Sequence, residues 1–160
     1  MTTEIKSEST NHERWMREAL ILAEQAADAD EVPVGAIVVQ NGEIIGRGFN
    51  QSIRSCDATA HAEIVAIRSA SQFRNNYRLP GTTLYVTIEP CTMCLGAIIH
   101  ARVDRLVFGA TEPRAGAVVS QGSLIEAGHF NHQLSFVDGV LAEECSSLMQ
   151  SFFRNRRKAN

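Results

Sequence analysis

TTLYVTIEPCTMCLGAIIHARVDRLVFGA, residues 82 to 110, changes its hydrophobic period twice, and those two changes decide the fold. TTLYVTI, residues 82 to 88, is rich in β-branched and aromatic side chains and reads as a strand. Pro90 has no backbone donor to lose and suits the first turn of a helix, so PCTMCLGAIIHA opens a helix at about residue 90. RLVFGA, residues 105 to 110, returns to a strand pattern. Strand, helix and strand in so short a span form a β-α-β crossover, which joins parallel strands with a right-handed connection.

Upstream, VPVGAIVV (residues 32 to 39) and EIIGRGFN (residues 43 to 50) flank Asn41-Gly42, a pair suited to the positive φ angles of a two-residue hairpin turn. Before them, Trp15, Ala19, Leu22 and Ala26 recur at helical spacing beside Met16, Leu20, Ala23 and Ala27, which predicts an amphipathic helix from Asn11 to Asp30. QSIRSCDAT leads into another helix from about His61 to Phe73. Downstream, residues 111 to 133 form a long glycine-containing segment, and LSFV supplies a fifth strand. VLAEECSSLMQSFFRNRRK closes the chain as a helix with Leu141, Cys145, Leu148 and Phe152 on one stripe. The pattern predicts an α/β fold: a three-layer α/β/α sandwich on a mixed five-stranded sheet. One domain spans residues 11–158 behind a flexible lead-in, residues 1–10.

With 44% hydrophobic and 21% charged residues among 160, the composition is that of an ordinary globular domain. No apolar run approaches the roughly 18 residues of a membrane span, and MTTEIKSEST lacks a secretory core, so a cytoplasmic protein is expected. A net charge of −3 makes no global case for a polyanion partner. Charge is local instead: Arg154, Arg156, Arg157 and Lys158 stand in SFFRNRRKAN without an acid. Cations at a helix C-terminus also complement its dipole, so the tail alone does not require a partner.

In AHAEIVAI, residues 60 to 67, His61 and Glu63 are two apart, which in a helix interior separates them by about 200°. They converge only at the start of a helix, where side chains reach a point beyond its end, and Asp57-Ala58-Thr59 offers the capping residues for such a start. Cys91 and Cys94, three apart in the first turn of the next helix, share a face. Both helix N-termini favour negative charge, hence thiolates. One His and two Cys make three zinc ligands, and three protein ligands plus a water are the arrangement of a catalytic site. Zinc lowers the pKa of a water from about 15.7 to about 7, about 12 kcal/mol of easier ionisation, and a placed carboxylate such as Glu63 adds about 10² to 10⁴ by proton transfer. Such chemistry suits hydrolytic attack on an electron-poor C=N carbon.

His61-Ala62-Glu63 with Pro90-Cys91-Thr92-Met93-Cys94 resembles the H-x-E and P-C-x-x-C signature of the zinc nucleoside and nucleobase deaminases. MREALILAEQAADADEVPVGAIVV, GRGFN, DATAHAEIVAIR, TLYVTIEPCTMCLGAIIHARV, FGA and SFFRNRR extend the likeness from about residue 12 to 158, where the chain is similar to the bacterial tRNA-specific adenosine deaminases. The resemblance implies a cytidine deaminase-like fold, one Zn2+ per subunit on His61, Cys91 and Cys94, and a homodimer that binds the tRNA anticodon loop. It implies hydrolytic deamination of adenosine to inosine at the wobble position of an arginine tRNA. In that reaction zinc-bound hydroxide attacks adenine C6, and Glu63 shuttles protons to N1 and the leaving amine. It further implies that Asn50 and Ala62 contact the flipped base and Val32 walls its pocket. Glu112, Asn131, Phe153, Arg156 and Arg157 are implied to meet the RNA. Glu112 and Arg114 depart from the aspartate and lysine of the best-known member, keeping the charges but adding a methylene at Glu112.

Other readings predict different outcomes. A structural zinc site needs a fourth ligand, for which Cys56 is available, but leaves Glu63 without a task. A thioredoxin-like use of Cys91 and Cys94 leaves out both His61 and Glu63. A deaminase of a free base or nucleoside, guanine or cytosine, would share all four zinc-site residues. A non-catalytic RNA-binding zinc module would not need Glu63 at all. Cys145 reads as a small core residue, His100 as a helix-terminal one, and Asn50 also suits a strand-end turn. His12, His129 and His132 read as surface or loop histidines.

Overall fold

The structure, a computed structural model, describes residues 2–127 and 130–160; His129 lies outside the described residues. In chain order it comprises α1 (Thr2–Asp28), β1 (Gly35–Gln40), β2 (Glu43–Phe49), α2 (Ala62–Arg74), β3 (Thr83–Ile88), α3 (Thr92–His100), β4 (Arg105–Ala110), β5 (Ser135–Val137) and α4 (Ala142–Ala159). The hairpin turns where Asn41-Gly42 predicts it, with φ of 50° and 74° at the two residues. The sheet order is β2-β1-β3-β4-β5; β1 is antiparallel to both its neighbours, and β3, β4 and β5 run parallel. The crossover through residues 82 to 110 therefore supplies the parallel β3–β4 pair as expected.

The period of two along β1 separates the layers. Ala36 and Val38 face a core shared with Ala62, Ala66 and Ala70 of α2 and Leu95, Ile98 and Ile99 of α3. Ile37 and Val39 face the opposite core, with Trp15, Met16, Ala19 and Leu22 of α1 and Cys145 of α4. The small alanines of α2 let that helix lie close on the sheet, so its N-terminus stands beside that of α3 at one sheet end. Among the described residues, no helix is long and apolar enough to cross a membrane.

Several boundaries differ from the pattern reading, each for a local reason. The first ten residues, expected as a flexible lead-in, are helical from Thr2, because the extra turns bring Glu8 to Arg105 at 2.5 Å. The helix ends at Asp28, and Asp30 turns away with φ 58°. His12, expected on the surface, is 8% exposed, with Nδ1 2.9 Å from the Tyr85 hydroxyl. Its spacing to Met16 and Ala19 already places it on the buried stripe. β1 starts at Gly35 instead of Val32: Pro33 cannot donate to a ladder, and the Val34 amide folds back onto the Val32 carbonyl at 2.8 Å. On α4, Met149 packs toward the sheet below Leu141 and Cys145, in the place the stripe assigns to Leu148.

Candidate active site at the mouths of two helices

The convergence of His61 and Glu63 is produced by their placement at the very start of α2. His61 is the N-cap, in an extended conformation (φ −71°, ψ 155°), and Glu63 lies in the first turn. Cys91 is likewise the N-cap of α3 (φ −74°, ψ 174°), with Cys94 inside its first turn. The helices thus begin one residue after His61 and Cys91, slightly later than the pattern predicts, and neither side chain makes a capping hydrogen bond to its helix. Both side chains are left to point beyond the helix ends.

His61 Nδ1 lies 3.7 Å from Cys91 Sγ and 3.5 Å from Cys94 Sγ, and all three atoms fall within 4.8 Å of one another. A tetrahedral zinc with Zn–S of about 2.3 Å and Zn–N of about 2.0 Å requires N···S edges of about 3.5 Å and an S···S edge of about 3.8 Å. The donor set fits that ion in chemistry and in spacing. Cys56, the alternative fourth ligand, is exposed and outside the cluster. Accordingly, Cys56→Ser should retain about one zinc per chain after desalting, as metal analysis would read. Loss of that zinc would restore the structural-site reading.

Electrostatics of the four side chains are those of one coupled group. A hydrogen bond from the Cys94 thiol, with the His61 ring adding to it, pulls Cys91 down to about 4 against the effect of burial. Cys94 shifts the other way, through its bond to Cys91 and through burial. His61 is raised, first by its contact with Cys91. Glu63 is 4% exposed, and burial raises its pKa, opposed in part by its own backbone amide and the Cys94 thiol. One thiolate is thus in place before any cation arrives, and the buried carboxyl holds a proton more tightly than an exposed glutamate does.

A cavity of about 280 Å³ opens above these groups, lined by Val32, Val34, Asn50, His61, Glu63, Ile88, Glu89, Cys91, Glu112, Ala115 and Met149. Expected site residues Val32, Asn50, His61, Glu63, Cys91 and Glu112 therefore meet in one place. Apolar walls around a few polar groups are the usual make-up of a small-ligand site. Glu112 and Met149 also border a second groove, with Arg114, Gln150, Phe153, Arg154 and Arg157. The two hollows adjoin at Glu112 and Met149, and Phe153 stands 41% exposed on the groove.

Three expected contacts are not brought to the pocket. The Ala62 side chain is fully buried in the core between α2 and the sheet. Arg156 lies over the Phe152 ring at 5.2 Å and borders a separate crevice with Asp28 and Asp30, since one residue along α4 rotates a side chain by about 100° away from the groove lined by Arg157. Asn131 is exposed and lines neither hollow. His132 Nε2 donates to the Val103 carbonyl (2.7 Å), and His100 closes α3.

Pattern reading missed Met149 and two buried glutamates. Glu31, fully buried, accepts the Ile53 amide at 2.6 Å and the Arg54 amide at 3.1 Å, pinning the loop that follows Asn50. Glu89 does the same for the loop after β4. The available signal was position: each is an acid adjoining an apolar strand, where an unpaired charge is not tolerated.

Residues 9–110 match the model of the family described as "Cytidine and deoxycytidylate deaminase zinc-binding region". Over 96% of its length the chain is 49% identical to a tRNA-specific adenosine deaminase of Haemophilus influenzae, covering 89% of that protein. It is 44% identical to the Bacillus subtilis protein of the same name, over 93% of this chain and 92% of the relative. A solved structure from studies of A-to-I editing by tRNA:A34 deaminases at the wobble position superposes with a TM-score of 0.82 at 41% identity, covering 84% of this chain and 98% of that one.

Proposed function

We propose that this chain, which belongs to the cytidine and deoxycytidylate deaminase zinc-binding family and to the tRNA-specific adenosine deaminases, converts adenosine to inosine at the wobble position of a tRNA anticodon. The observation that carries the reading is that the zinc-ligand cavity adjoins, at Glu112 and Met149, a groove bearing Phe153, Arg114, Arg154 and Arg157. A free base needs only the cavity. A flipped nucleotide needs a cavity for its base and, outside it, cations and an aromatic face for the strand that remains.

His61, Cys91 and Cys94 hold the zinc, which supplies Lewis acidity that lowers the pKa of a water from about 15.7 to about 7. Asn50, Val32 and Met149 border the space for the adenine ring, the first as a hydrogen-bonding partner and the others as walls. Glu63 takes a proton from the water that adds to C6 and passes it to N1, then takes the proton of the new C6 hydroxyl and supplies it to the departing amine. The C6–O bond forms, the C6–N bond breaks, and water plus adenosine yields inosine plus ammonia. Burial suits Glu63 to this shuttle, since a carboxyl with a raised pKa both accepts the first proton and keeps it for delivery. Exclusion of bulk water by Ile88, Val34 and Met149 strengthens each of these interactions. The finer assignments in this reading are an arginine tRNA as substrate, a homodimer as the working form, and the cytoplasm as compartment.

Incubation of the zinc-loaded protein with an anticodon stem-loop bearing a wobble adenosine should give inosine on sequencing the product. Turnover should fall steeply as salt displaces the arginine–phosphate contacts. Absence of conversion with zinc bound overturns the reading. Salt-insensitive deamination of a free base or nucleoside replaces it with the free-base alternative.

A further inference from the structure

We propose that Glu89 is a positioning residue: it anchors the loop of residues 112–120 against the turn that carries the metal ligands, and so sets where Glu112 and Ala115 stand on the pocket wall. The inference rests on the base-binding reading of that pocket. Glu89 is 3% exposed, and five donors from this single loop converge on its carboxylate. Oε1 accepts the Glu112 amide at 3.0 Å and the Ser120 hydroxyl. Oε2 accepts the amides of Val118, Val119 and Ser120 at 3.0, 2.8 and 3.0 Å. A carboxylate offers about four lone-pair sites, so none remains for substrate although Glu89 borders the cavity. Glu89 acts through the loop and does not react.

The same loop is joined to the metal-ligand turn on its other side. The Ala117 amide donates to the Pro90 carbonyl at 2.9 Å, and Gly116 pairs with Cys91 as an isolated antiparallel bridge. At Gly116 a Cβ would overlap the Glu89 carboxylate, so the close approach requires glycine there. Loop, carboxylate and ligand turn therefore form one rigid piece, with Glu112 at its entry and Ala115 beside the cavity. No periodic pattern holds residues 112–120; the anchor has to.

Glu89→Gln tests this at nearly constant volume, since the amide keeps one acceptor oxygen and turns a donor toward the loop amides. Ser120→Ala removes one donor and leaves the carboxylate, giving a milder variant should the first fail to fold. In the zinc-loaded proteins, the amides of Glu112, Val118, Val119 and Ser120 should exchange roughly tenfold to a hundredfold faster in Glu89→Gln, and severalfold faster at positions 118 and 119 in Ser120→Ala. Zinc should stay at about one per chain in both. With the stem-loop, kcat/KM of Glu89→Gln should fall by about 10², most of it as a rise in KM. Unchanged exchange in both variants overturns the anchoring, as does a loss confined to kcat or a loss of zinc from Ser120→Ala. An inactive wild type overturns the proposed reaction instead, while the exchange measurements still decide the anchoring.

Discussion

Replacing Cys94 with serine should remove the metal and, with it, all measurable deamination. Cys94 is fully buried in the first turn of α3, 3.5 Å from His61 Nδ1, and among the described residues only His61 and Cys91 join it in the metal-ligand cluster. A hydroxyl is a poorer ligand for zinc than a soft thiolate, and two remaining ligands do not close the site. The loss in chemistry is set by what the cation supplies: about 9 pKa units of water acidity, equivalent to about 12 kcal/mol, which is beyond the range of most activity assays. Stability should fall too, because zinc bound to the folded chain and not to the unfolded one adds its binding free energy to folding. Metal analysis, a thermal melt and the stem-loop assay read the three effects on one preparation. A Cys94→Ser protein that keeps one zinc and its activity would show that the ion sits elsewhere. The exposed Cys56 provides the contrast, since it lies outside the cluster.

Features legible in the sequence are those with local causes. Asn41-Gly42 adopts two positive φ angles regardless of what packs on it, so the hairpin could be read directly. The parallel pair β3–β4 followed from two period changes within one span of chain, and the metal trio from a spacing that is meaningless inside a helix. The zinc ligands were therefore visible before the sheet order was. What escaped depends on tertiary placement. Nothing in the spacing tells Arg156 from Arg157, yet docking of α4 sends one toward Asp28 and Asp30 and the other into the groove. Ala62 lies within the motif, but the helix that begins at it turns its side chain into the core. Glu31 and Glu89 looked like ordinary acids beside strands; only the folded loops show their oxygens filled by backbone amides. Burial alone would raise the Glu89 pKa, and the Ser120 hydroxyl with the amides of Val119, Glu112 and Ser120 reverses that to a net lowering.

Glu63 is the case in which function and stability pull in opposite directions, and Glu63→Gln should separate them. The variant keeps the shape of the side chain and all three zinc ligands, so zinc content and stem-loop affinity should match the wild type. Turnover should fall by about 10² to 10⁴, because glutamine neither accepts the proton of the attacking water nor delivers one to the amine. Stability should hold or rise. An acid whose folded pKa is raised contributes stability below its ordinary pKa and loses it as pH rises through the raised value, so at neutral pH Glu63 is a cost to the fold. An uncharged amide of the same size removes that cost, and the metal-free variant should melt at or above the metal-free wild type. Retained turnover would make the domain's zinc chemistry independent of Glu63 and assign the proton transfer to another base. A sharply lower melting temperature of the metal-free variant would mean that the buried carboxylate serves the fold, and its position beside the metal ligands would need another explanation. Collapse of turnover alone, with metal, RNA binding and melting intact, is the outcome that a proton shuttle at the mouth of α2 requires.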